Sequence, residues 1–350
     1  MLEQRSGRRA PDVATRTRSR TVGLLLAFHL ALGLLAVATL LSVGIGSAML
    51  PLDVVWRAFT EPDGSVSQIT VTSARVDRTL LAIVTGLALG VAGALIQALT
   101  RNPLADPGIL GVNAGAGFAV VLAVALLGVT SIEQYLPFAF LGAFAASVIV
   151  YLVASGGRGV PTPLRLTLVG VALGAVLTGV TQTLALIDVN TFDRMRFWGA
   201  GTVADRPAGT LAAILPFIVI GLLLAVVSAR RLNVLALGED LATSLGAKAA
   251  LTRPVVVVAV TLLCGAATAA VGPIVFVGLM VPHAVRWLTG PDWRWILAFS
   301  AVLAPVLMLV SDVVGRLIVL PAELQVGIVT ALIGAPILIL LVRRQEVSGL

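Results

Sequence analysis

Charge is what this sequence has least of. Only 12% of its 350 residues are Asp, Glu, Lys or Arg, against about 25% in an ordinary soluble domain, while 58% are apolar and the mean hydropathy is +1.05. That balance excludes a soluble enzyme and makes lipid the solvent for most of the chain. Cysteine is nearly missing too: Cys264 stands alone, so there is no disulfide framework. The only histidines are His29 and His283, which leaves no metal or acid–base constellation of the kind a catalytic site needs. The one lysine, Lys248, sits between Ala247 and Ala249. The chain therefore lacks the phosphate loop G-x-x-x-x-G-K-[ST] and cannot be its own ATPase by that route.

What the chain has instead is long uncharged runs, at 22–46, 79–100, 108–132, 134–157, 166–187 and 207–229. Each is long enough for one helical crossing, because about 20 residues at about 1.5 Å each cover a hydrocarbon core of about 30 Å. The stretch 254–285 has 32 residues without a formal charge. As one helix it would be about 48 Å long, too long for one span. Val271-Gly272-Pro273 in its middle removes a backbone donor and relaxes the chain, which predicts two helices, 254–270 and 274–288. Spans at 295–311 and 324–342 bring the total to ten. The predicted fold is an all-α polytopic membrane protein with a single membrane domain over 22–342, a basic disordered tail at 1–21 and a short tail at 343–350.

The net charge of +7 gives the orientation. With ten spans, the loops on the side of the two termini hold 17 basic and 7 acidic residues, and those on the other side hold 7 basic and 10 acidic. By the positive-inside rule both termini are cytoplasmic. The Arg-rich start precedes an apolar run too long for a signal-peptide core, so an uncleaved first helix is expected. Outside, a short interfacial helix is predicted at 52–59, and 188–206 reads as a loop whose Phe197-Trp198 anchors at the interface. The second to fifth and seventh to tenth spans form equal units of opposite orientation, as an inverted repeat would. G-x-x-x-G spacing at Gly86/Gly90, Gly111/Gly115 and Gly170/Gly174 predicts close helix packing.

Four strings carry more than topology. After the second span comes Thr100-Arg101-Asn102-Pro103-Leu104-Ala105-Asp106-Pro107, where two prolines force a tight cytoplasmic connection. Between the sixth and seventh spans, Leu232-Asn233-Val234-Leu235-Ala236-Leu237-Gly238-Glu239-Asp240-Leu241-Ala242-Thr243-Ser244-Leu245-Gly246 is amphipathic, its leucines recurring every four residues between helix-breaking glycines. On bare physics it could lie on lipid. Third, Pro282-His283-Ala284-Val285-Arg286 puts His283 and Arg286 on one face near the cytoplasmic end of the eighth span, suited to bonding loop carbonyls. Asp312, Arg316, Pro321 and Glu323-Leu324-Gln325-Val326-Gly327 follow.

In that order these strings resemble the permease subunits of ABC importers for ferric siderophores, haem and cobalamin, over nearly the whole chain after the basic tail. Gln325 stands where that family usually has proline, and Ile337 where it often has phenylalanine. The resemblance implies a type II importer permease with no cofactor of its own. ATP and Mg would be used by two cytoplasmic ATPase subunits, a second permease subunit would complete the pathway, and an extracytoplasmic binding protein would deliver cargo. It implies a coupling role for 230–253, with Leu237, Gly238, Glu239, Ala242, Leu245 and Gly246 docking into the ATPase. Arg101, Asn102, Pro103, Pro107, Pro282, His283 and Arg286 become the cytoplasmic family motifs beside that segment. Arg75, Arg78 and Arg316 would meet acidic residues on the binding protein. The plainer alternative is that they snorkel to headgroups, and Asp77 could pair with Arg75 or Arg78. Gln97, Asn113 and Gln182 are the candidates for the pathway wall. The cargo expected is an iron–siderophore complex, with cobalamin or haem as alternatives, in a bacterial cytoplasmic membrane. Two other classes stay open. An ion-coupled secondary transporter would need mid-span charge, which the sequence lacks; a scaffold would bind ATPases without moving cargo.

Overall fold

A computed structural model of the chain describes residues 13–129, 131–156, 161–187, 189–244 and 249–347. The described residues are helical apart from turns and short connections. The long helices are α1 (Val13–Gly44), α4 (Val76–Thr100), α5 (Val112–Leu127), α6 (Ile132–Ser155), α7 (Pro163–Ile187), α9 (Thr210–Leu235), α11 (Ala249–Val271), α12 (Val277–Thr289), α13 (Trp293–Ile318) and α14 (Val326–Val347). They correspond in order to the ten predicted spans. Seven helical stretches among the described residues are long and apolar enough to cross a membrane. α5 and α12, at 16 and 13 residues, cover only about 24 and 20 Å at about 1.5 Å per residue.

The break predicted at Gly272-Pro273 is where α11 ends. Gly272 has φ +79°, a left-handed turn open to glycine, and Phe276 before α12 is also left-handed at φ +71°. A bulky residue there is an outlier held by its surroundings. Gly334 of α14 provides the room, since a Cβ on it would sit 2.6 Å from the Phe276 Cβ.

Four short helices complete the chain: α2 (Leu52–Thr60), α3 (Val66–Ile69), α8 (Val189–Gly199) and α10 (Glu239–Ser244). α2 is the predicted interfacial helix. Leu52, Trp56 and Phe59 are exposed along one face, and Asp53 pairs with Arg57 on another. α3 runs through a π-helical turn, Thr70–Arg75, into α4.

Two expectations are corrected. Residues 188–206 are not simply a loop: α8 fills Val189–Gly199, with an Asp193–Arg196 pair at helical spacing and Trp198 buried. Asp193 and Arg196 lie on its exposed side. α1 begins at Val13, inside the predicted tail, because extending a nucleated helix through Arg-rich sequence is favourable. Likewise α14 continues to Val347, past the predicted span end at 342. Residues 1–12 and 348–350 of the predicted tails lie outside the described residues.

The centre is α4, packed by α13, α11, α12 and α9. Small residues allow these contacts. Gly86 and Gly90 lie against Pro305, Ser300 and Ala304 of α13, and Gly93 against Gly278 of α12. Gly115 meets Gly142 of α6 backbone to backbone, and Gly170 meets the Ile109 carbonyl. Gly174 is not tightly packed, and Gly111 serves a left-handed turn, so the predicted spacing marks contact at four of its six glycines. By contrast α1 and α7 bury little of their surface within the chain.

Candidate functional site

At the end predicted to be cytoplasmic, Arg101 closes α4 in a left-handed conformation (φ 53°). Its Nη2 donates to the Leu235 carbonyl at the end of α9, 2.8 Å. Asn102 turns the chain, its Oδ1 accepting from the Leu104 amide and its carbonyl from the Ala105 amide. Asp106 then caps a 3₁₀ turn, Pro107–Leu110, by accepting from the Gly108 amide, 2.7 Å, with Pro107 in the first position where a missing N–H costs nothing. Burial pushes the Asp106 carboxyl above the usual aspartate range, against the pull of the Gly108 amide. Pro107 packs its ring where Gly278 has no side chain. Pro103 lies in the same turn.

Pro282 and His283 are buried in α12, and His283 faces Trp287 at 6.0 Å between ring centroids. The Arg286 guanidinium lies over the Trp293 ring, 4.6 Å from its centroid, a cation–π contact. The expected bonding of this face to loop carbonyls is thus replaced, for Arg286, by an aromatic platform.

The segment after α9 presents Leu237 and Leu241 to the outside, 58% and 50% exposed, while Ala242 is buried. Gly238 is left-handed at φ +112° and its carbonyl accepts from the Ala242 amide, which starts α10 at Glu239. Leu245 and Gly246 lie outside the described residues.

At the end predicted to face outside, the three arginines expected to dock a binding protein point inward. Arg75 donates to the carbonyls of Val43, Gly44 and Ala48 at 3.1, 2.8 and 2.7 Å. Arg316, 1% exposed, donates to Ser42 and Ile45 carbonyls at 2.7 and 2.6 Å and pairs with Asp312. The last carbonyls of a helix lack intrahelical partners and carry the negative end of its dipole, so two cations there satisfy both needs of α1. Arg78 pairs with Asp312 at 2.6 Å and with Glu323 at 2.7 Å. Its partners are these, not Asp77. All three guanidiniums are engaged inside the chain, Arg75 by backbone carbonyls, Arg78 by carboxylates and Arg316 by both. Glu323 sits below the usual glutamate range: burial raises it, but hydrogen bonds from Ser47 and Arg78 outweigh that.

Between these ends a groove of about 610 Å³ runs along α5, α7 and α8. Asn113 and Gln182 line it, together with Thr178, Thr181, Met195 and Trp198. Asn113 Oδ1 accepts from Thr268 Oγ1, 2.8 Å. Gln97 is elsewhere: it is fully buried, and its Nε2 donates to the Leu279 carbonyl of α12, 2.9 Å. Two of the three pathway candidates share a cavity, and the third is a helix tie. Trp198, expected first as an interfacial anchor and second as a docking residue, is buried instead. It is 5% exposed and forms part of the groove and of a second, outer cavity lined by Tyr135, Asp205, Arg206 and Glu323.

Sequence spacing could have found the Asp312–Arg316 pair, four residues apart on one helix. Nothing in the sequence joins Arg78 to Asp312, or Asn233 to Asp292, across the fold.

The model of the FecCD transport family matches residues 34–344. The ferric enterobactin transport system permease protein FepD of Escherichia coli (strain K12) is 50% identical over 316 residues, which cover 90% of this chain and 94% of that one. The Fe(3+)-citrate import system permease protein YfmD of Bacillus subtilis (strain 168) is 41% identical, over 81% and 84%. Among solved structures, a metal-chelate type ABC transporter in an inward-facing conformation aligns with a TM-score of 0.78 at 28% identity, covering 91% of this chain and 99% of that one.

Proposed function

The chain belongs to the FecCD transport family, and we propose that it is the membrane permease subunit of an ATP-driven importer that carries a ferric siderophore across a bacterial cytoplasmic membrane. The observation that carries the substrate class is the 50% identity to a ferric enterobactin permease over nearly the full length of both chains. The chain crosses ten times, with α5 and α12 as the short members of each four-helix unit. Short or broken helices at matching positions are what an inverted repeat places around a transport path.

Gln182 is exposed on α7, a helix that buries little within this chain. An amide facing hydrocarbon would lose hydrogen bonds. That supports a pathway where the groove meets a second permease subunit, identical or related. Asn113 and Gln182 offer the cargo neutral amides, so a bulky chelate can leave as readily as it arrives. The exposed Leu237 and Leu241 support docking of 230–253 into an ATPase subunit. ATP-driven closure of two such subunits would then rock the helix units between outward- and inward-open states. A binding protein above would supply cargo and most of the specificity.

The test is reconstitution with the cognate ATPase and binding protein and radioiron-labelled ferric enterobactin as probe. ATP-dependent uptake is expected. Uptake on an ion gradient without the ATPase would replace the reading with a secondary transporter. Competition by haem or cobalamin alone would shift the cargo. Replacing Gly238 and Glu239 together is expected to uncouple hydrolysis from uptake, and unchanged uptake would end the coupling assignment.

A further inference from the structure

The base of the coupling segment is fastened to the rest of the chain by a reciprocal pair of hydrogen bonds. Asn233, in the last turn of α9, donates from Nδ2 to Asp292 Oδ1, 2.7 Å, and accepts on Oδ1 from the Trp293 amide, 2.8 Å. The chemistry fixes the orientation of this amide: a carboxylate can only accept and a backbone N–H can only donate. One planar group with one donor and one acceptor is required, which only Asn supplies at this reach. Asp292 also accepts from the Arg294 amide as the N-cap of α13, and its carboxylate pairs with the Arg294 guanidinium at 3.0 Å. Two residues further on, Arg101 holds the Leu235 carbonyl from the end of α4.

The position of this pair gives it a mechanical meaning. Residues 233–235 are tied to the first turn of α13 and the last residue beyond α4. Those two helices pack along their length, and at the outer end they are joined again through Arg78 and Asp312. Beyond Leu235 the chain passes through a left-handed Gly238 before α10, a joint in a conformation that glycine adopts without strain. A push on α10 could be absorbed at that joint, or carried onward through the fastened base.

We propose that the Asn233–Asp292 pair is the latch that transmits displacement of the coupling segment to α13, making Asn233 a positioning residue for energy coupling. This rests on the reading of 230–253 as the coupling segment. Without the latch, α9 would move against α13 instead of with it.

The test uses the permease–ATPase complex in proteoliposomes, with Val319→Cys as reporter at the outer end of α13. Val319 is 43% exposed, and the native Cys264 is buried. The labelling rate by a membrane-impermeant maleimide is measured with and without ATP and vanadate. In the otherwise native chain ATP is expected to change the rate. Asn233→Asp sets two carboxylates against each other, and the response is expected to fall about tenfold, the scale of a lost charge-assisted hydrogen bond. ATP hydrolysis continues. The exchange Asn233→Asp with Asp292→Asn restores the pattern with roles reversed, because the side-chain amide introduced at position 292 would donate to the new carboxylate at position 233, which the Trp293 amide still bonds. Its response is expected to return.

A native complex in which ATP leaves Val319→Cys unchanged would overturn the latch, as would a response that survives Asn233→Asp, or one that the exchange fails to rescue. Replacing Gly238 and Glu239 separates the two readings. If that change abolishes the response and Asn233→Asp does not, the latch fails and the coupling segment stands. If neither abolishes it, both fail.

Discussion

Replacing Asp312 tests the outer charge network most directly. Asp312 is 1% exposed and accepts from two guanidiniums, Arg78 on both carboxylate oxygens and Arg316 on Oδ2. Asp312→Ala leaves Arg316 buried beside Arg78 with no anion between them. Arg316 keeps the Ser42 and Ile45 carbonyls and Arg78 keeps Glu323, so the loss is one shared anion rather than the whole network. Removing one partner of a buried pair costs about 3–5 kcal/mol. At roughly 2 °C per kcal/mol for a chain of this size, the midpoint should fall by about 6–10 °C. Cys264 is a native reporter, 1% exposed and the only thiol, so a thiol-reactive fluorophore in detergent follows unfolding. Adding Arg316→Met to Asp312→Ala should recover part of the loss, because it removes the unpaired charge. A midpoint within about 1 °C of the native chain, small on the same scale, would refute the argument. It would also return these arginines to the role of free cations, and the affinity of the binding protein, not stability, should then change.

Other outcomes follow from single contacts. Gly170→Ala would drive a Cβ into the Ile109 carbonyl and should cost about 1–3 kcal/mol as an overpacked contact. Gly179→Ala on the same helix meets nothing within 4 Å and should be neutral or slightly stabilising; equal effects in the Cys264 assay would refute the packing. Asp106→Asn keeps the acceptor for the Gly108 amide but removes a charge whose pKa is raised by burial. A raised carboxyl pKa favours the fold at low pH and is lost as pH rises, so the variant should melt higher than the native chain at neutral pH, the gap closing toward the ordinary aspartate value of about 3.9. Asp292 and Glu323 have the opposite sign: both sit below their usual ranges, since hydrogen bonds from Arg294 and Asn233, and from Ser47 and Arg78, outweigh burial. Their stabilisation is fully present above about pH 5 and should disappear as pH falls through the carboxylate range. Trp198→Ala removes the wall common to the groove and the outer cavity. It should let an outside reagent label Gln182→Cys faster in the permease–ATPase complex without ATP, and an unchanged rate would remove Trp198 as a barrier.

Composition and the spacing of charge determined a great deal by themselves. Hydrocarbon thickness fixes how long an apolar run must be, so ten helices could be placed from the sequence, and Gly272-Pro273 marked the one run that had to break. Local rules also gave α2, the turn at Asn102 to Pro107 and the helix break at Gly238, because each depends on neighbours a few residues away. The tertiary structure alone decided what the polar groups do. Arg75, Arg78 and Arg316 look like surface cations in sequence. The fold brings the end of α1 and a carboxylate 234 residues from Arg78 to them, and in a low-dielectric interior a charge settles where its partners are. In sequence Gln97 is an uncharged polar residue in an apolar run, fit to face a pathway; the packing of α4 on α12 makes it a helix tie instead, because it supplies the Leu279 carbonyl. α8 is hard to see in sequence because Asp193 and Arg196 lie on an exposed face and its buried Trp198 is a single residue, too little to set a period. Helices in lipid can be read one at a time, since each satisfies its own backbone. Side-chain partners cannot, because they come from whichever helix packs beside them.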